Sequence, residues 1–149
     1  MPMPKSVTKI TKDGIEFISS VDRAQYTIRE LTRAALKDVA KLLRKHMVQE
    51  LKNLPGMKRH RRIYSSTQYW VRKRDCDLQI GVKHDAWYGV NQELGTKGMP
   101  KKGVIRETTF KHIDDIRKIE GQYLSAIEDE NRALGLIDEE EEIGDEETT

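Results

Sequence analysis

The chain has 149 residues, 36% of them hydrophobic and 35% charged, which allows one modest core beneath a heavily charged surface. No apolar run approaches the roughly 18 residues that cross a bilayer, and the N-terminus lacks the apolar stretch of a secretory leader, so no membrane partner is expected. The single Cys76 excludes an intrachain disulfide and a cysteine-built zinc site, and suits synthesis in a reducing cytoplasm.

The formal net charge of +2 hides a strong asymmetry. Residues 1–62 carry 15 Lys/Arg against 6 Asp/Glu, a net +9, and residues 63–106 carry a net +4. Residues 107–149 carry 4 against 15, a net −11. A basic front and an acidic back can attract one another within one chain or between copies, although much of such a pattern is ordinary solvated surface.

Taken in chain order, residues 1–20 form an arm. Asp13-Gly14 stands between alternating apolar positions (Val7, Ile10, Ile15, Phe17), which signals a small hairpin; a disordered arm is the alternative. A two-stranded hairpin is marginal alone and must dock on something. Residues 22–53 predict one long amphipathic helix. Ile28, Leu31, Ala35, Val39 and Leu42 recur every three or four positions, with a parallel stripe through Leu36, Leu43, Met47 and Leu51. Pro55-Gly56 ends it. The basic loop Met57–Arg62 follows. Residues 63–74 are rich in Tyr, Trp, Thr, Ile and Val. After a polar turn at Arg74–Asp77, Leu78, Ile80 and Val82 alternate with Gln79, Gly81 and Lys83. The pair predicts an antiparallel β-hairpin.

Residues 84–94 read as a short helix or as a strand and turn. Gly95–Gly103 is a loop. Residues 106–134 predict a second long helix, with Phe110, Ile113, Ile116 and Ile127 on one face and Gly135 as its cap. Residues 138–149 hold eight acids in twelve positions, too little apolar material to fold, and are expected to be disordered. The organisation is thus an arm at 1–20, a single α+β domain at 21–135 and an acidic tail at 136–149. In that domain, N- and C-terminal helices pack on a small antiparallel sheet.

No phosphate-binding glycine loop, dinucleotide fingerprint or nucleophile elbow occurs. The four histidines (46, 60, 84, 112) include no i, i+4 pair, and His84-Asp85 reads as a polar strand end. Cys76 stands between Asp75 and Asp77, whose charges oppose thiolate formation. Asp114 and Asp115 occupy successive helix positions about 100° apart and cannot form a facing dyad. No enzyme activity, metal or cofactor is therefore expected. Lys58, Arg59, Arg61 and Arg62, near Tyr64, Tyr69 and Trp70, are candidates for contact with DNA or a partner. They support the alternative reading of a small basic nucleic-acid-binding regulatory protein.

The order long helix, loop, hairpin, W-Y-x-x-x-x-E-x-G-T, loop and helix carries a resemblance. Val82, Tyr88, Gly89, Glu93, Gly95 and Thr96, then Pro100 and the segment Arg106–Phe110, match it. On these residues the chain resembles the small head–tail joining, tail-completion or minor tail proteins of long-tailed bacteriophages, over about residues 22–131. It departs in lacking the Thr-Gly-x-Leu stretch that often precedes the first hairpin strand, and in having Gly89 where the family has Ala. The resemblance implies a structural virion protein made in the host cytoplasm. Such proteins form homo-oligomeric rings, often hexamers, in the neck or at the tail end. Connector or adaptor, tail-tube and terminator proteins would be partners, with genomic DNA passing through the lumen. Trp87, Tyr88, Glu93 and Thr96 are the candidate subunit or partner contacts, because aromatic side chains give large contact area with few rotors to freeze. For Trp87 and Tyr88, capping of the core is the competing role.

Overall fold

The structure, a computed structural model, describes residues 2–54, 63–83, 87–98 and 100–143. Among them are five α-helices and two separate two-stranded antiparallel sheets, so the fold is mixed α+β, as the sequence pattern predicts. The chain divides into two compact units, one of Met1–Ala34 with Gly121–Thr149 and one of Ala35–Glu120.

The first unit opens with a hairpin of β1 (Thr8–Lys12) and β2 (Ile15–Ser19). Lys12 faces Ile15 across the two-residue turn Asp13-Gly14. Both turn residues have positive φ, 54° and 79°, the geometry whose twist matches that of the strands. The long helix α1 (Val21–Asn53) begins in this unit, and its Thr27, Leu31 and Ala34 are buried. Ile28, expected on the apolar face, is exposed, whereas Ala34, absent from the expected stripes, is buried. Small side chains lie where the helix is closely covered, which hydrophobicity alone does not reveal.

The predicted helix over 106–134 is in fact three. They are α3 (Val104–Lys111), α4 (Ile113–Ser125) and α5 (Glu130–Ile143), with a single 3₁₀ turn at Ala126–Glu128. The break before α5 has a local cause. Asp129 takes an extended conformation, and its Oδ1 accepts from the N–H groups of Asn131 and Arg132 at 3.0 and 3.3 Å. That is an N-cap, and it starts a new helix. Gly135 lies inside α5 and does not end it. Helix α5 carries the backbone through Ile143, further than the acidic composition suggested; glutamate is itself a good helix former once a capped turn exists. Residues 144–149 of the expected tail lie outside the described residues. Tyr123, Ala126, Ala133 and Ile137 are the buried apolar residues of this part of the chain.

The second unit is built on the remainder of α1. A stripe stepping by four, Ala35, Val39, Leu43, Met47 and Leu51, is buried. The hairpin of β3 (Thr67–Arg72) and β4 (Asp77–Val82) pairs Thr67 with Val82, Tyr69 with Ile80 and Val71 with Leu78. Residues paired across strands share a face. Leu78 and Ile80 pack against Val39, Leu43 and Met47, together with Ile105, Ile116 and Ile119. Val82 packs with Tyr64, Tyr88 and Val104 around Leu51. Arg44 Nε donates to the carbonyl of Thr67 at 3.1 Å and ties α1 to the start of β3. The loop joining β3 to β4 places Cys76 at φ 50°, a left-handed position unusual for cysteine.

Candidate subunit-contact site

Residues 84–94, ambiguous in sequence, contain the helix α2 (Trp87–Leu94). Its C-terminus shows what the Glu93-Leu94-Gly95-Thr96 stretch does. Gly95 has φ 78°, and its N–H donates to the carbonyl of Asn91 at 2.8 Å, a left-handed helix cap. A side chain is barred there twice. The φ disfavours it, and an added Cβ would stand 2.9 Å from the backbone N of Lys101. The chain after the loop runs back along α2. Lys102 N–H donates to the carbonyl of Gln92 at 2.8 Å, and Gly103 N–H to that of Glu93 at 3.2 Å.

Glu93 completes the arrangement. The residue at the N-cap of α3 is Gly103, which has no side chain to offer. The two carboxylate oxygens of Glu93 accept instead from the N–H groups of Ile105, at 3.0 Å, and Arg106, at 3.1 Å. These are the second and third residues of α3, the donors that an N-cap side chain normally satisfies. A carboxylate at a helix N-terminus is also favoured by the helix dipole. Glu93 is therefore a cap delivered from the preceding helix, and the whole motif closes α2, loop and α3 into one structural piece.

The other sequence-nominated contacts separate accordingly. Tyr88 is half-buried in the cluster around Leu51, which is the core-capping role. Trp87 is the first residue of α2; its side chain lies outside the described residues. Thr96 is exposed just past the cap. Val90 and Leu94, four residues apart on α2, are exposed at 50% and 68%. Sequence reasoning did not nominate them, although their spacing marks one face of a short helix. Lys58, Arg59, Arg61 and Arg62 lie outside the described residues.

A crevice of about 360 Å³, including the part open to solvent, lies between α1, β3–β4 and the α2–α3 piece. Met47, Leu51, Val82, Val104 and Ile105 give it apolar walls, with Thr67, Gln92 and Glu93 among its polar residues. Thr67 Oγ1 and Gln92 Oε1 are buried without a hydrogen-bond partner. The Glu93 carboxylate in its wall is engaged by the N-terminus of α3. Among the described residues, no three potential metal-ligating side chains come together.

Two further clusters arise from residues that the sequence left apart. His46 on α1 stacks on His112, at the α3–α4 break, with ring centroids 3.8 Å apart. The Nδ1 of His112 lies 3.0 Å from the carbonyl of Thr108. Partial burial lowers the pKa of His46, and the neighbouring His112, Lys45 and Lys111 lower it further, against an opposing pull from Asp115. At the end of the second hairpin, Arg72 grips Asp77 through Nε, 2.6 Å from Oδ1, and through Nη2 on the other oxygen. It also reaches Asp75 at 3.0 Å. The hydrogen bond with Arg72 holds the Asp77 carboxyl below the usual carboxylate range and raises the guanidinium in turn.

No protein-family model, curated protein or solved structure matches this chain.

Proposed function

We propose that the chain is a structural subunit of a tailed-bacteriophage particle. In this reading it forms a closed homo-oligomeric ring, a hexamer in its simplest form, at the head–tail junction or the tail end. DNA passes through the lumen, and the ring works without catalysis or a cofactor. One observation carries the proposal: the stretch on which the resemblance rests is the stretch that determines the local fold. Glu93 caps α3, Gly95 ends α2, and the returning chain packs against that glycine. Two chains that share a fold share such residues, because replacing either breaks the same closure.

This reading moves the contact surface. A carboxylate with both oxygens engaged inside the chain has little left for a neighbour, so Glu93 positions the surface that a neighbouring subunit meets. Val90, Leu94 and Thr96 are the contact residues on that surface, beside the start of α2 at Trp87. A heterologous interface, repeated by rotation, closes into a ring without self-complementary patches. Connector or adaptor, tail-tube or terminator proteins would stack on it.

The test is location. An antibody against the chain, applied with gold label to purified particles, is expected to mark the neck or the tail end. Particles unlabelled at both places, with the chain found only in the soluble fraction bound to DNA, would replace this reading by the nucleic-acid-binding one.

A further inference from the structure

The β1–β2 hairpin has two unlike faces. On one, Ile10 stands opposite Phe17 and Lys12 opposite Ile15. On the other, Lys9 and Glu16 form an exposed ion pair at 3.1 Å beside a single exposed apolar side chain, Ile18. The apolar face is uncovered: Ile10, Ile15 and Phe17 are exposed at 55%, 72% and 62%. A lone two-stranded hairpin is marginal in water, and an open apolar patch of a few hundred Å² marks a contact surface.

The same unit carries a second uncovered apolar spot, this one with acidic neighbours. Leu124, at the end of α4, is 64% exposed, and Ile127, one turn on, is 39% exposed. Glu120 and Glu128 lie four residues to either side of Leu124, and Asp129 follows; all three are exposed. The hairpin is neutral as a whole, with Lys9 paired to Glu16 and Asp13 at the turn, but its apolar face carries Lys12, so an apolar tongue bearing a lysine and an acid-rimmed apolar patch occur on one chain. Since both are exposed, neither covers the other within a single molecule.

We infer that the hairpin Thr8–Ser19 is a docking arm, whose Ile10, Ile15 and Phe17 seat on the Leu124–Ile127 patch of a second copy of this chain. In its partner, a second copy, the inference rests on the ring reading above; it does not depend on where in a particle the ring sits. A second copy is the occupant because one chain presents both complementary surfaces, and such copies associate head to tail. The wider charge split, net +9 over residues 1–62 against −11 over 107–149, acts in the same direction. Area sets the strength. The hairpin face falls well short of the roughly 800 Å² per partner of a stable interface. A single contact is therefore weak, and closure of a ring, in which every arm is seated at once, strengthens it through effective concentration.

The experiment uses the full chain. A photoreactive benzoyl group is placed at position 17, and cross-linked products are mapped by peptide mass spectrometry. In parallel, sedimentation equilibrium compares the unaltered chain with Phe17→Ser, whose exposed position leaves the circular dichroism and melting curve unchanged. Cross-links to residues 120–129 of another copy, with self-association weakened about tenfold or more in Phe17→Ser, are the expected result. Cross-links only within one chain or to a different surface, or association unaltered by the substitution, overturn the arm. If copies associate regardless of Phe17, the ring reading survives that failure. If the chain also fails to label particles, the ring reading falls separately.

Discussion

Replacing Glu93 by alanine removes the side chain that caps α3. Two hydrogen bonds are lost, to the N–H groups of Ile105 and Arg106, the first part-buried and the second exposed at the helix start. Each bond contributes about 1 kcal/mol net, with a few tenths more from charge at the helix terminus, so the substitution costs about 2 kcal/mol. For a chain of this length that lowers the melting temperature by roughly 5–8 °C. Glu93→Gln keeps one acceptor oxygen but turns an amide NH₂ toward a backbone donor, and costs about 1 kcal/mol. Glu107, in the first turn of the same helix, is the control. Its substitution by alanine removes charge near the helix start without removing either cap bond, and costs at most about 0.5 kcal/mol. Urea unfolding followed by circular dichroism measures all three. Equal losses for Glu93→Ala and Glu107→Ala would refute the capping argument and leave only a general charge effect.

Four further outcomes are expected. Gly95→Ala forces a side chain into a left-handed position and onto the Lys101 backbone, and lowers the unfolding midpoint by far more than Glu93→Gln. Gly121→Ala, inside α4 with open space around it, raises stability by roughly 0.5–1 kcal/mol in the same assay. Cys76→Gly relieves the φ of 50° and raises the melting temperature by an amount equivalent to about 1 kcal/mol; a fall would show that the strand-joining loop holds that conformation for another reason. Acidification acts through His46. Its folded pKa lies below the ordinary histidine value of 6.5, so the unfolded chain binds the proton more tightly. Stability is full above about pH 6.5 and falls as pH drops from there toward the folded pKa; His46→Gln flattens that part of the pH–stability curve.

Periodicity made the local elements readable. The i, i+4 spacing from Leu31 to Leu51 gives α1, the alternation from Leu78 to Val82 gives β4, and Asp13-Gly14 gives the turn of the first hairpin. Each of these signals lies within a few residues of what it specifies. The Glu93 cap was not readable in that way. Its donors lie 12 and 13 residues onward, beyond a loop that brings them back, and only the folded chain shows that Gly103 leaves the cap to another residue. The break at Asp129 was readable, since an aspartate ahead of a helical run is a start signal; the continuous apolar spacing around it masked the cap. His46 and His112 were counted as separate residues, because the packing of α1 on the α3–α4 junction is a long-range fact. For the candidate site, the sequence singled out Trp87, Tyr88, Glu93 and Thr96, but the capping of α3 by the Glu93 carboxylate is visible only in the folded chain.

The central claim concerns a ring subunit of a phage particle, and copy number tests it most directly. Purified particles, digested with trypsin and measured by mass spectrometry against isotope-labelled peptides of this chain and of the major capsid protein, are expected to hold one closed ring's worth, about six copies each. Particles free of the chain, or carrying it in the hundreds like a tube or shell protein, would contradict the account.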